Sequence, residues 1–150
     1  MAISCRVTRG DLTESIHVAF AVAVDKNGQI FFSSGDPNYL TCIRSSLKPF
    51  QAAASIKAGA IDSVKFSDEE IALMCASHQG EQIHTDKVFS MLQKLDLNIE
   101  DYECGAHAPS DKKTRYSLVT ASKPASSIHN NCSGKHAGML ALAKHLGKGI

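Results

Sequence analysis

The sequence lacks any long apolar run and any excess of charge of one sign. Its longest apolar run, Val18 to Val24, is far too short to cross a bilayer. The first fifteen residues carry charges along their length and have no apolar core, so we expect no secretory signal peptide. A formal net charge of +1 gives no reason to expect binding to nucleic acid or to an anionic membrane.

The sequence also lacks an even set of cysteines and any tract rich in histidine. Its five cysteines are an odd number and have no repeated spacing. In a chain without a secretory signal, this pattern is typical of reduced thiols, and we predict a cytoplasmic protein. A hydrophobic share of 43% over 150 residues is enough for one domain, residues 1–150, with a real core.

The front of the chain predicts a β-hairpin. Ser15 to Val24 and Gln29 to Ser34 are rich in β-branched and apolar residues, and Asp25 to Gly28 is a strong turn sequence between them. Val18 to Val24 is almost continuously apolar, which predicts a strand that is buried on both faces. Because a lone two-stranded hairpin is marginal, the sheet is expected to need further strands.

The rest of the chain predicts about four helices. Ser67 and Glu70 form a capping box at the start of the second helix, and glycines follow the first and the last. The region 97–127 is predicted to be mostly loop, with one short strand at Tyr116 to Thr120. With the hairpin, this pattern predicts an α+β domain whose closing strands are absent. The predicted helices are about Ser46 to Ala58, Ser67 to Ser77, Thr85 to Leu95 and Gly134 to Leu146.

Ser45 and Lys48 form a Ser-x-x-Lys pair at the start of the first predicted helix. Residues three apart on a helix share a face, so the hydroxyl and the amine can meet. Backbone N–H groups there can hold an oxyanion, and a partly desolvated lysine can take the serine proton. The pair predicts an acyl-transfer nucleophile, and the alternative is a helix cap beside a surface lysine. A second pair, Ser110 and Lys113, lies in a polar run predicted to be a solvated loop.

The segment from Ser77 to Glu81 lies at the predicted exit of the second helix. Its serine and histidine can supply a second hydroxyl or a proton relay. The pattern alone favours a plain helix C-terminus, with Gly80 just after the helix and His78 near the negative end of the dipole.

The segment from His129 to Leu140 leads two asparagines into the last predicted helix. Backbone amides at a helix start can bind a carboxylate or an oxyanion. Cys132 with Lys135 or His136 can form half of a metal site, although the pattern alone favours an anion-binding nest or a well-capped core helix. Three further residues receive structural predictions: Cys42 and Cys75 as buried thiols, and His107 as a solvated loop residue.

Four segments together resemble the bacterial L-asparaginase II family, of the rhizobial Ser-Lys type. They follow the family's order along the chain, and the run from His129 to Met139 is the most specific of them. The four segments are Arg44 to Pro49, Ser77 to Glu81, Cys104 to His107 and His129 to Met139.

This resemblance implies a fold like that of serine β-lactamases and glutaminases, with an antiparallel sheet flanked by helices. It implies hydrolysis of L-asparagine to L-aspartate and ammonia by two Ser-Lys tandems. Ser45 and Lys48 match the first tandem, and Ser77 matches the serine of the second. The resemblance also implies a zinc ion beside the site, bound by two cysteines and a lysine, of which Cys132 and Lys135 match.

Chains of this family are considerably longer than 150 residues. The resemblance therefore implies that the lysine partner of Ser77, the second zinc cysteine and the closing strands would all lie after Ile150. We accordingly expect weak zinc binding by this chain alone, and a homodimer or a complementary C-terminal half as partner.

Two alternatives to an active asparaginase remain open from the sequence. The chain is a catalytically inactive fragment, or half of a split enzyme that only associates with its other half. Within the same enzyme class, it is a related glutaminase or a penicillin-recognising acyl-transferase.

Overall fold

The computed structural model describes every residue from 1 to 150 and has an α+β architecture. Its internal contacts divide it into two compact units, Met1–Cys42 and Ile43–Ile150. The first unit holds all of the strands and the second holds all of the helices. No helix is both long enough and apolar enough to span a membrane.

The first unit contains two antiparallel hairpins, whereas the sequence predicted one. The predicted turn is confirmed, because the Asp25 carboxylate accepts hydrogen bonds of 2.8 Å from the backbone N–H groups of Asn27 and Gln29. The first strand was not predicted, since charged side chains interrupt its apolar ones. The paired strands are β1 (Ile3–Arg9) with β2 (Leu12–Ala19), and β3 (Ala21–Val24) with β4 (Ile30–Ser34).

The predicted strand from Ser15 to Val24 is divided at Phe20, between β2 and β3. The Phe20 ring packs against Tyr39, with ring centroids 4.6 Å apart, and lies over Gly35, where an added Cβ would be 1.9 Å from the ring. The burial predicted for Val18 to Val24 is wrong, because its three valines are 48% to 65% exposed. Each sheet of this unit has only two strands.

The second unit consists of six α-helices and three short 3-10 helices. All four predicted helices are confirmed to within a few residues, and the short second helix was not predicted. The α-helices are α1 (Lys48–Lys57), α2 (Ala60–Val64), α3 (Asp68–Cys75), α4 (Gln82–Lys94), α5 (Lys112–Thr120) and α6 (Ser133–His145). The 3-10 helices are Arg44–Leu47, Ile99–Asp101 and Ser127–His129.

The last helix, α6, packs against α1, α2, α3 and α4 and forms the centre of this unit. Its Ala137 and Ala141 are completely buried in the core. Gly134 lies so close to α3 that an added Cβ would be 2.6 Å from the carbonyl oxygen of Leu73. The absence of a side chain at Gly134 therefore lets the end of α3 lie directly beside the start of α6.

Local capping signals explain why α3 begins where it does. The predicted box is confirmed: the Ser67 N–H donates to the Glu70 carboxylate at 2.7 Å, and the Glu70 N–H donates to the Ser67 hydroxyl. The Glu70 side chain is buried, and its carboxylate also accepts a hydrogen bond of 2.6 Å from Lys94 of α4. This bond ties α3 to α4.

One prediction in the second unit is corrected by the structure. Tyr116 to Thr120 was predicted to be a strand but belongs to α5, because Asp111 caps that helix by accepting a hydrogen bond of 2.7 Å from the Thr114 N–H. This short-range cap outweighs the β-branched residues at its end. Cys75 packs against the core but is only half-buried, so its predicted burial is confirmed in part. In the first unit, Cys42 is exposed, so its predicted burial is wrong.

Candidate active site

Lys48 is the first residue of α1, and its side chain is buried, with 2% of its surface exposed. Its Nζ donates hydrogen bonds to the carbonyl oxygen of Ala76 at 2.6 Å and to the hydroxyl of Ser77 at 2.7 Å. Both acceptors lie just after α3. No carboxylate forms an ion pair with this amine.

Ser45 joins this pair through Ser77. The two hydroxyl oxygens lie 3.2 Å apart, so the polar atoms are arranged in the order Lys48, Ser77, Ser45. The sequence predicted that Ser45 and Lys48 contact each other directly. They are instead linked through Ser77, because the buried Lys48 amine bonds to groups that follow α3. Both serine hydroxyls lie on exposed residues.

Ser45 lies in the 3-10 helix Arg44–Leu47, which leads into α1. Arg44 has a φ of +50°, a left-handed conformation that costs a non-glycine residue on the order of 1–2 kcal/mol. Such strain is found most often where a chain must present a functional group. Here the strained residue directly precedes the serine.

A surface depression of about 320 Å³ lies over these groups. Three of its lining residues are basic and none is acidic, so its surroundings favour an anion. The lining also brings together two pairs of residues that the sequence singled out. One pair is Ser45 and Lys48, and the other is the predicted zinc ligands, Cys132 and Lys135. The lining residues are Arg44, Ser45, Lys48, Gln51, Cys132 and Lys135.

His78, beside Ser77, is buried and bonded on both ring nitrogens. Its Nδ1 accepts a hydrogen bond of 3.1 Å from the Gly80 N–H, so the proton lies on Nε2, which contacts the Ser133 hydroxyl at 2.8 Å. The Ser133 hydroxyl in turn donates to the carbonyl oxygen of Ile128 at 3.0 Å. The ring of His78 is therefore bonded to a residue of α6, a contact that its position after α3 did not predict.

The His78 ring is held neutral by its surroundings. Burial, reinforced by the positive charges of His84 and Lys48, lowers the pKa of His78 to about 4. Its backbone N–H donates to the carbonyl oxygen of Asn131 at 3.1 Å. Through its ring and its backbone, His78 therefore fastens the segment that carries Ser77 to the start of α6.

The loop that begins at Cys104 is fastened to the same helix start by Asn130. The Asn130 amide donates to the carbonyl oxygens of Cys104 and Gly105, each at 3.1 Å, and its own oxygen accepts a hydrogen bond of 2.9 Å from the Cys132 N–H. His107, predicted to be merely solvated, is exposed but accepts a hydrogen bond of 3.0 Å from the Asn131 N–H.

The two predicted zinc ligands, Cys132 and Lys135, are half-buried at the start of α6 and line the depression together. No group of three or more His, Cys, Asp or Glu side chains is arranged to hold a metal ion. A larger cavity of about 610 Å³ lies elsewhere, around Tyr102 and His136, and contains none of the hydroxyl groups described above.

Sequence reasoning named the two serines and the lysine but missed the residues that hold them. Ser133 lies 55 residues from His78, and Asn130 lies 26 residues from Cys104. Both lie in the most specific of the four sequence segments, which was the only signal available for them.

A protein-family model described as L-asparaginase II matches residues 5–150. No curated protein matches the chain. The matched range includes all four sequence segments and every residue of the depression.

Proposed function

Because the chain belongs to the L-asparaginase II family, we propose that it hydrolyses L-asparagine to L-aspartate and ammonia, with Ser45 as the nucleophile. The observation that carries this proposal is the run of hydrogen-bonded groups from Lys48 through Ser77 to Ser45, at a depression without acidic residues. The fold like that of serine β-lactamases and glutaminases belongs to the same proposal.

The run of three groups supports a proton relay. The Ser45 oxygen attacks the side-chain amide carbon of asparagine and gives its proton to Ser77, whose own proton passes to Lys48. In the resting structure Lys48 donates to Ser77, and Ser77 donates to Ser45. The relay reverses both hydrogen bonds, which requires rotation of the two hydroxyl groups and a neutral Lys48 amine as the final proton acceptor. The proton then leaves with ammonia as the carbon–nitrogen bond breaks, and an aspartyl ester forms on Ser45. Water attacks this ester in the second half of the reaction and releases aspartate.

The charge of the depression supports an amino acid as substrate. Asparagine carries an α-carboxylate, to which the guanidinium of Arg44 can donate two parallel hydrogen bonds. Glutamine differs from asparagine by one methylene, which an apolar pocket distinguishes by only about 1–3 kcal/mol. Glutaminase activity is therefore the competing outcome that any assay of this protein has to include.

The donor atoms of two residues in the depression are chemically suited to form part of a zinc site. Cys132 and Lys135 are one helical turn apart and line the same depression, and a thiolate with a neutral amine is a donor pair that zinc accepts. Bound there, zinc would supply a positive charge that positions and tunes the site. The metal, and a partner that is either a second copy or a complementary C-terminal half, are parts of this proposal.

The proposal is tested by ammonia release from L-asparagine and L-glutamine, measured on the 150-residue protein and on three variants. We expect release from asparagine, and a loss of several orders of magnitude in kcat for Ser45→Ala with retained folding. Ser110→Ala, in the second Ser-x-x-Lys pair, is the matched control and should remain active. Ser77→Ala should lose most activity because the relay is broken.

Each opposite result has a defined meaning. Ammonia release from glutamine alone would make glutamine, and not asparagine, the substrate. No release from either amide would favour the inactive-fragment alternative. Normal turnover by Ser45→Ala would remove Ser45 from the mechanism.

A further inference from the structure

The depression over Ser45 carries more positive charge than asparagine can balance. Its lining contains three basic side chains, Arg44, Lys48 and Lys135, and no carboxylate. The ion pairs of the chain all involve other basic residues. The protein therefore does not neutralise these three side chains with an acidic partner.

The excess of positive charge remains when the chemistry of the site is taken into account. Lys48 has to be neutral when it accepts the proton in the proposed relay, but Arg44 and Lys135 are still present, and a guanidinium does not lose its proton in a protein. Zinc bound to Cys132 and a neutral Lys135 would leave the same local charge, because the two positive charges of the ion exceed the one negative charge of a thiolate. Two positive charges therefore remain in either case.

Asparagine matches this charge only in part. Its α-carboxylate is attracted, but its α-ammonium group is attached to the same carbon atom and is repelled by the same cations. The one side-chain amide in the lining belongs to Gln51, which is half-buried on α1. Its oxygen can accept a hydrogen bond from the ammonium group but carries no negative charge. A repulsive group built into a site selects against the ligand that it repels.

We propose that this site prefers monoamides of dicarboxylic acids that lack a free α-ammonium group over asparagine itself. The amino group is either absent, as in succinamate, or acylated, as in N-acetyl-L-asparagine. The reaction is unchanged: the oxygen of water joins the acyl carbon, the carbon–nitrogen bond breaks, and the nitrogen leaves as ammonia. This inference rests on the proposed function for its reaction, whereas the binding preference can be measured separately.

The experiment compares kcat/KM for ammonia release from succinamate, N-acetyl-L-asparagine and L-asparagine, with the 150-residue protein. We expect succinamate to exceed asparagine by at least about tenfold, the scale of one like charge at close range near a protein surface. An equal gain for N-acetyl-L-asparagine would extend the preference to acylated amines, and no gain would restrict it to substrates without the amino group. Sodium chloride at about 1 M should reduce the preference, because salt screens exposed charges.

A charge variant tests whether repulsion is the cause. Gln51→Glu places a carboxylate in the lining with almost no change of shape, so it should lower the ratio of succinamate to asparagine kcat/KM by about tenfold. Gln93→Glu makes the same change at an exposed position of α4, outside the depression, and is the matched control. It should leave the ratio unchanged. Equal ratios in the wild type and both variants would overturn the electrostatic preference.

A binding measurement separates this inference from the proposed reaction. Isothermal titration calorimetry compares succinate with L-aspartate, the two products, and we expect succinate to bind at least about tenfold more tightly. That result without ammonia release from any amide would remove the proposed reaction and leave the preference in place. Asparagine hydrolysed at least as well as succinamate, or succinate bound no more tightly than aspartate, would overturn the preference.

Discussion

The Nζ atom of Lys48 lies 2.7 Å from the hydroxyl oxygen of Ser77, although 29 residues separate them along the chain. The lysine starts α1 and the serine follows α3, so the contact depends on the packing of both helices around α6. Ser45 joins them at 3.2 Å. The catalytic proposal therefore depends on tertiary structure and not on the Ser-x-x-Lys spacing alone.

The role of Lys48 as proton acceptor predicts the effect of removing its amine. Lys48→Met keeps a long, largely apolar side chain, so the variant should remain folded. It should lower kcat by about 10²–10⁴-fold, the range typical of a general acid or base. Steady-state ammonia release measures kcat, and circular dichroism shows whether the variant is folded. Lys113→Met, in the solvated pair, is the control, and equal activity of the two variants would contradict the assignment.

The buried His78 predicts a pH dependence of stability. Its pKa is about 4 in the folded protein and 6.5 in the unfolded chain, so the neutral ring stabilises the fold above pH 6.5. That contribution is lost as the pH falls from 6.5 to 4, and it amounts to about 3 kcal/mol. Urea unfolding should show that, as the pH falls, the free energy of unfolding decreases more steeply for the wild type than for His78→Gln, whose side chain cannot titrate. Parallel pH profiles would show that His78 is not the group responsible.

Gly134 and Gly138 of α6 give a matched pair for testing the contact of α3 with α6. A Cβ at Gly134 would meet the Leu73 carbonyl oxygen at 2.6 Å, whereas one at Gly138 would meet the flexible end of Met74 at 2.3 Å. Backbone cannot move aside as a side chain can. Gly134→Ala should therefore destabilise the protein by about 1–3 kcal/mol and reduce activity, and Gly138→Ala should cost less. Thermal unfolding ranks the stabilities of the two variants. A larger loss of stability in Gly138→Ala than in Gly134→Ala would contradict this packing.

The left-handed conformation of Arg44 predicts different effects on stability and on binding. Arg44→Gly removes the strain that Arg44→Ala retains, so the glycine variant should be more stable by about 1 kcal/mol. Both variants lose the guanidinium and should raise the KM for asparagine to a similar extent. Chemical denaturation and substrate titration separate the two effects, with Arg115→Ala of α5 as the control. An unchanged KM would remove Arg44 from substrate binding.

Local signals in the sequence were sufficient for much of the second unit. The capping box of Ser67 and Glu70, the apolar period of α4 and the glycines that end α1 and α6 each depend on residues within a few positions. These signals do not depend on tertiary contacts. The α5 helix was missed because Tyr116 to Thr120 is rich in residues typical of strands. The cap at Asp111 outweighs that preference in the structure.

Long-range contacts could not be predicted in the same way. The division of the predicted first strand at Phe20 follows from its packing on Tyr39 and Gly35, and the ring of His78 bonds to a serine 55 residues away. Neither contact leaves a periodic trace in the sequence. The same reason explains why Ser77, and not Ser45, receives the hydrogen bond from Lys48.

The most direct test of the central claim is to identify the nucleophile by covalent labelling. The 150-residue protein is treated with an asparagine analogue that carries an electrophilic diazoketone in place of the amide, and the labelled peptide is identified by mass spectrometry. We predict one label per chain, on Ser45, lost in Ser45→Ala and slowed in Lys48→Met. A label on Ser77 in the wild-type protein, or none in an active preparation, would contradict the account.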